Sequence, residues 1–345
     1  MISQKEITIV TPTYNSMNTL NEYMEAIIKQ DYPHEKINVI FVDGGSSDGT
    51  LECIESYRNT ADFSIDVYNN QLVTAEAGKA IGVKKAKSEI ICLLDSDNII
   101  PSTNWFSLMT EPFNEDIIIC SEPIEYTYRR SDNIVNRYCA LIGMNDPLCL
   151  FTKNYDRYCT ITNKWTEIDR EEIDKGNYLS IKFNNGIIPT IGANGFCIRK
   201  QELLKHIDGD YLFDIDILYE LLNENPCLRV AKVKTGVIHL FCPNVKTFIR
   251  KQNRRIKDYL YFNDSNIRKY PWSKIPKTRI VLFILSCISI VPLLIQTIIG
   301  NSRKQDIKAW TFHMIACWIT LLVYGWGTIS GLFNRKIANR NDWNK

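Results

Sequence analysis

Ile90-Ile91-Cys92-Leu93-Leu94-Asp95-Ser96-Asp97-Asn98 reads as a buried strand that ends on two carboxylates. Five apolar residues in a row, then a polar turn, are too short for a helix and suit a strand covered on both faces. Upstream, strand-like runs at residues 7–11, 37–42 and 65–68 alternate with helical patterns at 19–30, 50–57 and 75–87. This alternation predicts an α/β fold, a mostly parallel sheet flanked by helices. Ligands of such sheets sit outside the carboxyl ends of the strands, so the polar residues ending each run are the candidate site.

The composition fits that reading. The chain has 345 residues, 45% hydrophobic and 23% charged, with a formal net charge of +2. A disordered or collagen-like polymer is excluded, and nothing in the overall charge points to nucleic acid. Eleven cysteines are scattered singly, without a Cys-x-x-Cys pair, and read as reduced thiols. The polar start runs directly into a strand, unlike a signal peptide, so the N-terminal part is expected in the cytosol.

Three strand ends carry chemistry. Thr11-Pro12-Thr13-Tyr14-Asn15 sets hydroxyls and a ring at the binding edge, although an ordinary turn would look the same. Val42-Asp43-Gly44-Gly45-Ser46-Ser47-Asp48-Gly49-Thr50 places an acid at a strand tip and glycines where backbone can approach a ligand. Neither a P-loop nor a Gly-x-Gly-x-x-Gly fingerprint is present. Asp95 and Asp97 are hard oxygen ligands for Mg²⁺ or Mn²⁺, whose shell a substrate diphosphate would complete. Lys79, on the preceding helix, is the candidate partner of that diphosphate; a solvated helix lysine is the plainer alternative.

Residues 7–15, 42–50, 78–87 and 93–98 together resemble the nucleotide-binding half of family 2 glycosyltransferases, which have a GT-A fold. The resemblance implies a nucleotide-diphosphate sugar donor, with Thr11, Pro12, Tyr14 and Asp43 around the base and ribose. It implies further donor contacts from Lys79, Asp95 and Ser96, and a metal held by Asp97 and Asp95. Lys79 stands where many relatives carry Arg. Ile191-Gly192-Ala193-Asn194-Gly195-Phe196 looks like the loop beneath the transferred sugar, and Phe213-Asp214-Ile215-Asp216-Ile217 like the acidic helix start. An inverting transfer needs a carboxylate to take the acceptor's hydroxyl proton. Asp214 is the expected base and Asp216 the fallback; acids are also favoured in any first helical turn. His239 is a candidate third metal ligand or phosphate contact, or a structural histidine. Gln252 and Arg255 resemble the Gln-x-x-Arg donor element of membrane-bound relatives, with Ile256 in place of their tryptophan; lipid contact would explain the same basic helix.

Two long uncharged stretches follow, residues 280–302 and 309–334, the second interrupted only by His313. Each could cross the roughly 30 Å hydrocarbon core. Arg250, Lys251, Arg254, Arg255, Lys257, Arg268, Lys269, Lys274, Lys277 and Arg279 precede the first, against Asp258 and Asp264. By the positive-inside rule this predicts a two-helix C-terminal transmembrane hairpin with a cytoplasmic catalytic domain. Arg303, Lys304 and Lys308 between the stretches leave a re-entrant or shallow hairpin open, and Arg335, Lys336 and Arg340 fit a cytoplasmic tail.

The expected organisation is a nucleotide-sugar-binding half at 1–120, an acceptor-binding and catalytic-base half at 121–240, a basic juxtamembrane segment at 241–279, transmembrane helices at 280–335 and a tail at 336–345. The expected activity is inverting transfer of a sugar to a lipid-linked or glycan acceptor at the cytoplasmic membrane face. An insert at 122–185 offers Tyr126, Tyr128, Tyr138, Trp165 and Tyr178 for stacking on acceptor sugars. The alternatives are a catalytically silent nucleotide-sugar-binding module and a processive polysaccharide synthase.

Overall fold

The computed structural model describes residues 4–333 apart from 185, 193, 208, 266–267 and 272–275. Ala193, Lys274 and the tail residues Arg335, Lys336 and Arg340 therefore lie outside the described residues. The chain forms two units, each assembled from two separate stretches: residues up to Thr127 with Ile168–Leu240, and Tyr128–Glu167 with Phe241 onward. The linear division at 120 and 240 is thus replaced by one in which 128–167 groups with the C-terminal part.

The first unit contains the sheet. Strands β1 (Ile7–Thr13), β2 (Ile37–Asp43), β3 (Ser64–Asn69) and β4 (Ile90–Leu94) alternate with helices α1 (Met17–Ile28), α2 (Thr50–Arg58) and α3 (Ala75–Lys85). β1 and β4 are buried throughout, as uninterrupted apolar runs require in a two-sided sheet. β5 (Asn98–Ile99), α4 (Trp105–Thr110) and β6 (Ile118–Tyr126) follow. Further along the chain the unit adds β7 (Arg170–Asp174), β8 (Tyr178–Phe183), β9 (Asn194–Arg199), α7 (Lys200–Lys205), α8 (Asp214–Glu224) and β10 (Arg229–His239).

The strand order is β3-β2-β1-β4-β9-β6-β10-β8-β7, with β5 paired to β10. β1 to β4 run parallel, but β9 pairs antiparallel with both β4 and β6, and β8 antiparallel with β7 and β10. The sheet is mixed, a correction to the mostly parallel expectation. Long-range returns such as β9 leave no local mark on the sequence, because a strand's direction follows from its connections.

Helix α3 lies unusually close to the sheet. A Cβ at Gly82 would sit 2.3 Å from Val10 Cγ1, and one at Gly78 would sit 2.8 Å from Pro12 Cβ. Four residues apart, the two glycines share one helix face, and their missing side chains bring Lys79 down to the strand ends.

The second unit is helical. It comprises α5 (Ile134–Ile142), α6 (Leu148–Thr152), α9 (Val245–Ser265), α10 (Lys277–Ser289), α11 (Val291–Arg303) and α12 (Ile307–Phe333). Its core gathers Tyr138, Phe151, Phe248, Phe283, Trp310 and Phe312. The first apolar stretch, expected as one spanning helix, is the pair α10 and α11, bent by 88°. Among the described residues one helix, over Ile307–Gly331, is by itself long and apolar enough to cross a membrane.

The aromatic residues of the expected acceptor insert are mostly core. Tyr138, Trp165 and Tyr178 are buried, as is most of Tyr126, and Tyr128 donates its hydroxyl to Asp306. They pack the fold in place of offering open platforms for sugar rings, which corrects the stacking expectation for them. Weak periodicity had concealed β6, α5, β7 and β8 within this stretch.

Candidate active site

The turn after β2 is organised by Asp43. Its Oδ2 accepts from the Gly45 and Ser46 amides, both at 2.8 Å, and Oδ1 from Thr13 Oγ1 at 2.9 Å and Ser46 Oγ at 2.6 Å. Gly45 adopts φ +89°, with open space where a Cβ would be. The neighbouring turn is stitched to it: the Asn15 amide donates to Ser46 Oγ, and the Ser47 amide to Asn15 Oδ1. Pro12 seats α3, Thr11 is buried with its hydroxyl against Tyr23, and the Tyr14 ring stands exposed at the rim.

At the end of β4 the charged groups converge. Lys79 Nζ lies 3.7 Å from Asp95 Oδ1 and 3.6 Å from Asp214 Oδ2. Asp214 opens α8, and the backbone bond from Leu212 to the Glu76 carbonyl on α3 fixes that approach. Burial by itself would lower the ammonium's pKa, but Asp214, then Asp95 and Glu76, reverse this and hold Lys79 firmly protonated. Burial lifts the Asp95 carboxyl to about 6, with Lys79 opposing and Asp97 and Asp214 adding to the rise. Asp214 is likewise raised, by burial first, against the pull of Lys79. Asp216, two residues on in the same first turn of α8, is buried.

Asp97 faces the other way. Its Oδ1 accepts from Asn98 Nδ2 at 2.9 Å, and its Oδ2 lies 3.7 Å from His239 Nε2. The antiparallel pairing of β5 and β10 sets His239 opposite Asn98, and the Leu240 amide bonds the Asp97 carbonyl. Ser96 Oγ donates to Ser16 Oγ. Behind His239, the Tyr126 ring lies 5.3 Å away by centroids and its hydroxyl accepts from Asn194 Nδ2 at 2.9 Å.

These residues fit a divalent cation of the kind that a diphosphate completes. Asp95 Oδ1 is buried and makes no hydrogen bond, only the 3.7 Å ion pair with Lys79, which leaves it lone-pair capacity that a cation would engage. Among the described residues no group of three His, Cys, Asp or Glu is preformed for a metal. A site of one or two carboxylates and an imidazole, finished by substrate phosphates, matches Mg²⁺ or Mn²⁺ better than a closed protein cage does.

Asp43, Lys79, Asp95, Asp97, Asp214 and His239 thus all belong to the sheet-bearing unit. Gln252 and Arg255 belong to the helical unit: Gln252 Nε2 and Arg255 Nη1 both donate to the Asn145 carbonyl, Arg255 also pairs with Asp146, and Gln252 accepts from Tyr324. Sequence reading missed Ser16, Glu76 and the Asn194–Tyr126 pair. Only the loop at 191–196 hinted at the last.

The sequence profile described as Glycosyl transferase family 2 matches residues 8–207, more than half of the chain. The chain belongs to glycosyl transferase family 2. It is 32% identical over 99 residues to the poly(ribitol-phosphate) β-N-acetylglucosaminyltransferase TarS of Staphylococcus aureus, covering 28% of this chain and 17% of that one. It is 29% identical over 117 residues to the poly(ribitol-phosphate) β-glucosyltransferase of Bacillus spizizenii, covering 31% and 17%. The chain therefore spans about a sixth of the length of either relative. Among solved structures it is similar to the mannosyltransferase PcManGT of Pyrobaculum calidifontis in complex with GDP-Man and Mn²⁺, with TM-score 0.53, 13% identity, and 94% and 88% coverage. That likeness establishes the α/β GT-A fold expected from the motifs.

Proposed function

We propose that this family 2 chain is a metal-dependent, inverting glycosyltransferase that moves a sugar from a nucleotide diphosphate to a lipid-linked or glycan acceptor at a membrane. The observation that carries this reading is the buried Lys79 held between Asp95 and Asp214, two carboxylates brought from different elements to the carboxyl edge of the parallel strands. The turn built on Asp43, with Thr11, Pro12 and Tyr14, would receive base and ribose. Lys79 and Ser96 would face the diphosphate. Asp97, Asp95 and His239 would hold the cation, which when bound withdraws charge from the departing diphosphate.

Asp214 would accept the acceptor's hydroxyl proton as the oxygen bonds to the anomeric carbon and the bond to the diphosphate breaks. In the structure its charge is shared with Lys79. A diphosphate that draws Lys79 away would remove that stabilising partner and leave Asp214 more basic, so donor binding would prime the base. Asp216, two positions on, is the fallback. The relatives' names support a hexose or hexosamine donor and a cell-surface glycopolymer acceptor. The apolar C-terminal helix supports an acceptor presented at a membrane, with the catalytic unit on its cytoplasmic side. Gln252 and Arg255 remain candidate donor contacts by resemblance.

A donor-hydrolysis screen tests this: purified chain, a panel of nucleotide sugars, Mg²⁺ or Mn²⁺ against chelator, with and without lipid extract. One donor should release nucleotide only with metal, faster with extract, and not with Asp97→Asn. Asp214→Asn should keep donor binding and lose transfer by a hundredfold or more. Binding of a donor without turnover under every condition would remove the enzyme reading in favour of the silent module.

A further inference from the structure

The apolar stretch 280–302 leaves and returns on one side. A straight helix of that length would be about 35 Å long, and its ends would lie beyond opposite faces of a roughly 30 Å core. Here the helices part at Ile290, at φ +62° and ψ −32°, and Pro292 opens α11. Arg279, at the start, donates through Nη1 to the Thr152 carbonyl; Arg303, at the end, donates through Nη1 to the Thr160 and Ile161 carbonyls at 3.0 and 2.8 Å. Those acceptors bracket one short segment containing buried Asn154, Asp156 and Arg157. Eight residues reach at most about 28 Å fully extended, and charged groups are costly at the bilayer centre. This segment cannot straddle a membrane, so both arginines lie on the same side of it.

Helix α12 is held along its length by the same unit. Asp306, just before it, accepts from Tyr128 and pairs with Arg137. Tyr324 donates to Asp146 and Gln252. Beyond that, Gly327 abuts Ile256 and Gly331 abuts Leu260 of α9. α9 exposes Arg254 and Lys257, so a membrane-crossing α12 would bring these charges alongside its last turns, where they are disfavoured.

What α12 leaves uncovered is a stripe: Ile315, Trp318, Leu322, Trp326 and Ile329, at steps of three and four, with Trp326 73% exposed. On the bent pair, Leu282, Leu285, Ile288 and Ile298 are equally bare, the last at 67%. Large apolar side chains left bare in this number mark an interaction face. Exposed Lys277, Lys304 and Lys308 stand at the helix ends beside it, which suits an anionic surface.

We propose that the C-terminal region is a monotopic anchor: the bent pair and α12 lie within one leaflet of an anionic bilayer, bare faces toward the acyl chains, with no segment among the described residues crossing. This goes beyond the transfer reaction and does not depend on its donor or acceptor. The test uses the full chain in sealed inverted vesicles and intact cells, with membrane-impermeant maleimide read by mass spectrometry. Exposed Cys227 of the sheet-bearing unit is the internal reference. Lys277→Cys, Gln305→Cys and Asn334→Cys, which follows α12 in the sequence, should all react from the Cys227 side. Labelling of Gln305→Cys or Asn334→Cys from the opposite face alone overturns the proposal. In flotation with phosphatidylglycerol vesicles, Leu322→Asp with Trp326→Asp, or Ile298→Asp alone, should reduce bound chain at least tenfold at an unchanged thermal midpoint. A lipid-free dimer that ignores vesicles would assign the face to a second copy and equally overturn it.

Discussion

Asp95 is the residue on which the site's electrostatics turn. Folding raises its carboxyl from the ordinary 3.8 to about 6, so ionisation is penalised in the folded state. That penalty is absent below pH 3.8, grows between the two values and is complete above about 6. Asp95→Asn, which never ionises, is therefore expected to raise the thermal midpoint at pH 8 and to do so less at pH 4, while donor turnover falls at both. Parallel melts of wild type and variant across this range check it; an equal change at both pH values would refute the assignment. The two aspartates of this strand tip were readable from sequence because they directly follow the apolar run 90–94. The reach of Lys79 to Asp214, 135 positions away, was not, because nothing local records which helix start folds over α3.

At the scale of elements, α3 decides where Lys79 stands. Gly82→Ala should gain about 1 kcal/mol of helix propensity, yet its Cβ would meet Val10 Cγ1 at 2.3 Å. Overpacking of this kind costs about 1–3 kcal/mol, so the net effect is expected to be destabilising. Denaturant midpoints should fall, and donor KM should rise as the helix lifts from β1 and takes Lys79 with it. The strands and helices of the first 94 residues were legible almost to their ends: residues 37–42 became Ile37–Asp43 and residues 75–87 became Ala75–Lys85. Their signal is strong because β1, β2 and β4 are buried almost throughout and so read as unbroken apolar runs, while the edge strand β3 buries only Ile65 fully. The region after Glu122 was read as irregular, since β7 is largely exposed and α5 and α6 are short.

For the whole molecule, the sheet centre holds an ion pair that no motif announces. Lys232 on β10 is register-paired with Glu122 on β6, and both are fully buried with Nζ 2.5 Å from Oε2. Glu122→Gln would weaken the compensation of a buried ammonium and should cost about 3–5 kcal/mol, whereas Glu122→Leu with Lys232→Met should recover most of it. Urea unfolding of the two variants distinguishes these outcomes; equal losses would show that the pair itself contributes net stability. The same whole-chain view revises the membrane region. The second stretch forms one long apolar helix, Ile307–Phe333, but the stretch 280–302 is broken at Ile290, where the backbone takes φ +62° and ψ −32°.

By itself, the sequence determined the α/β class, the family, the strand-end acids and the apolar character of the C-terminal region. All of these depend on short-range signals: burial periodicity, turn residues and runs without charge. Only the tertiary structure decided the mixed strand directions, the gathering of Lys79 with Asp214 and of Asp97 with His239, and the 88° bend within the first apolar stretch. Those features depend on contacts between residues far apart in the chain, where the free energy resides in pairs and no single residue carries the mark.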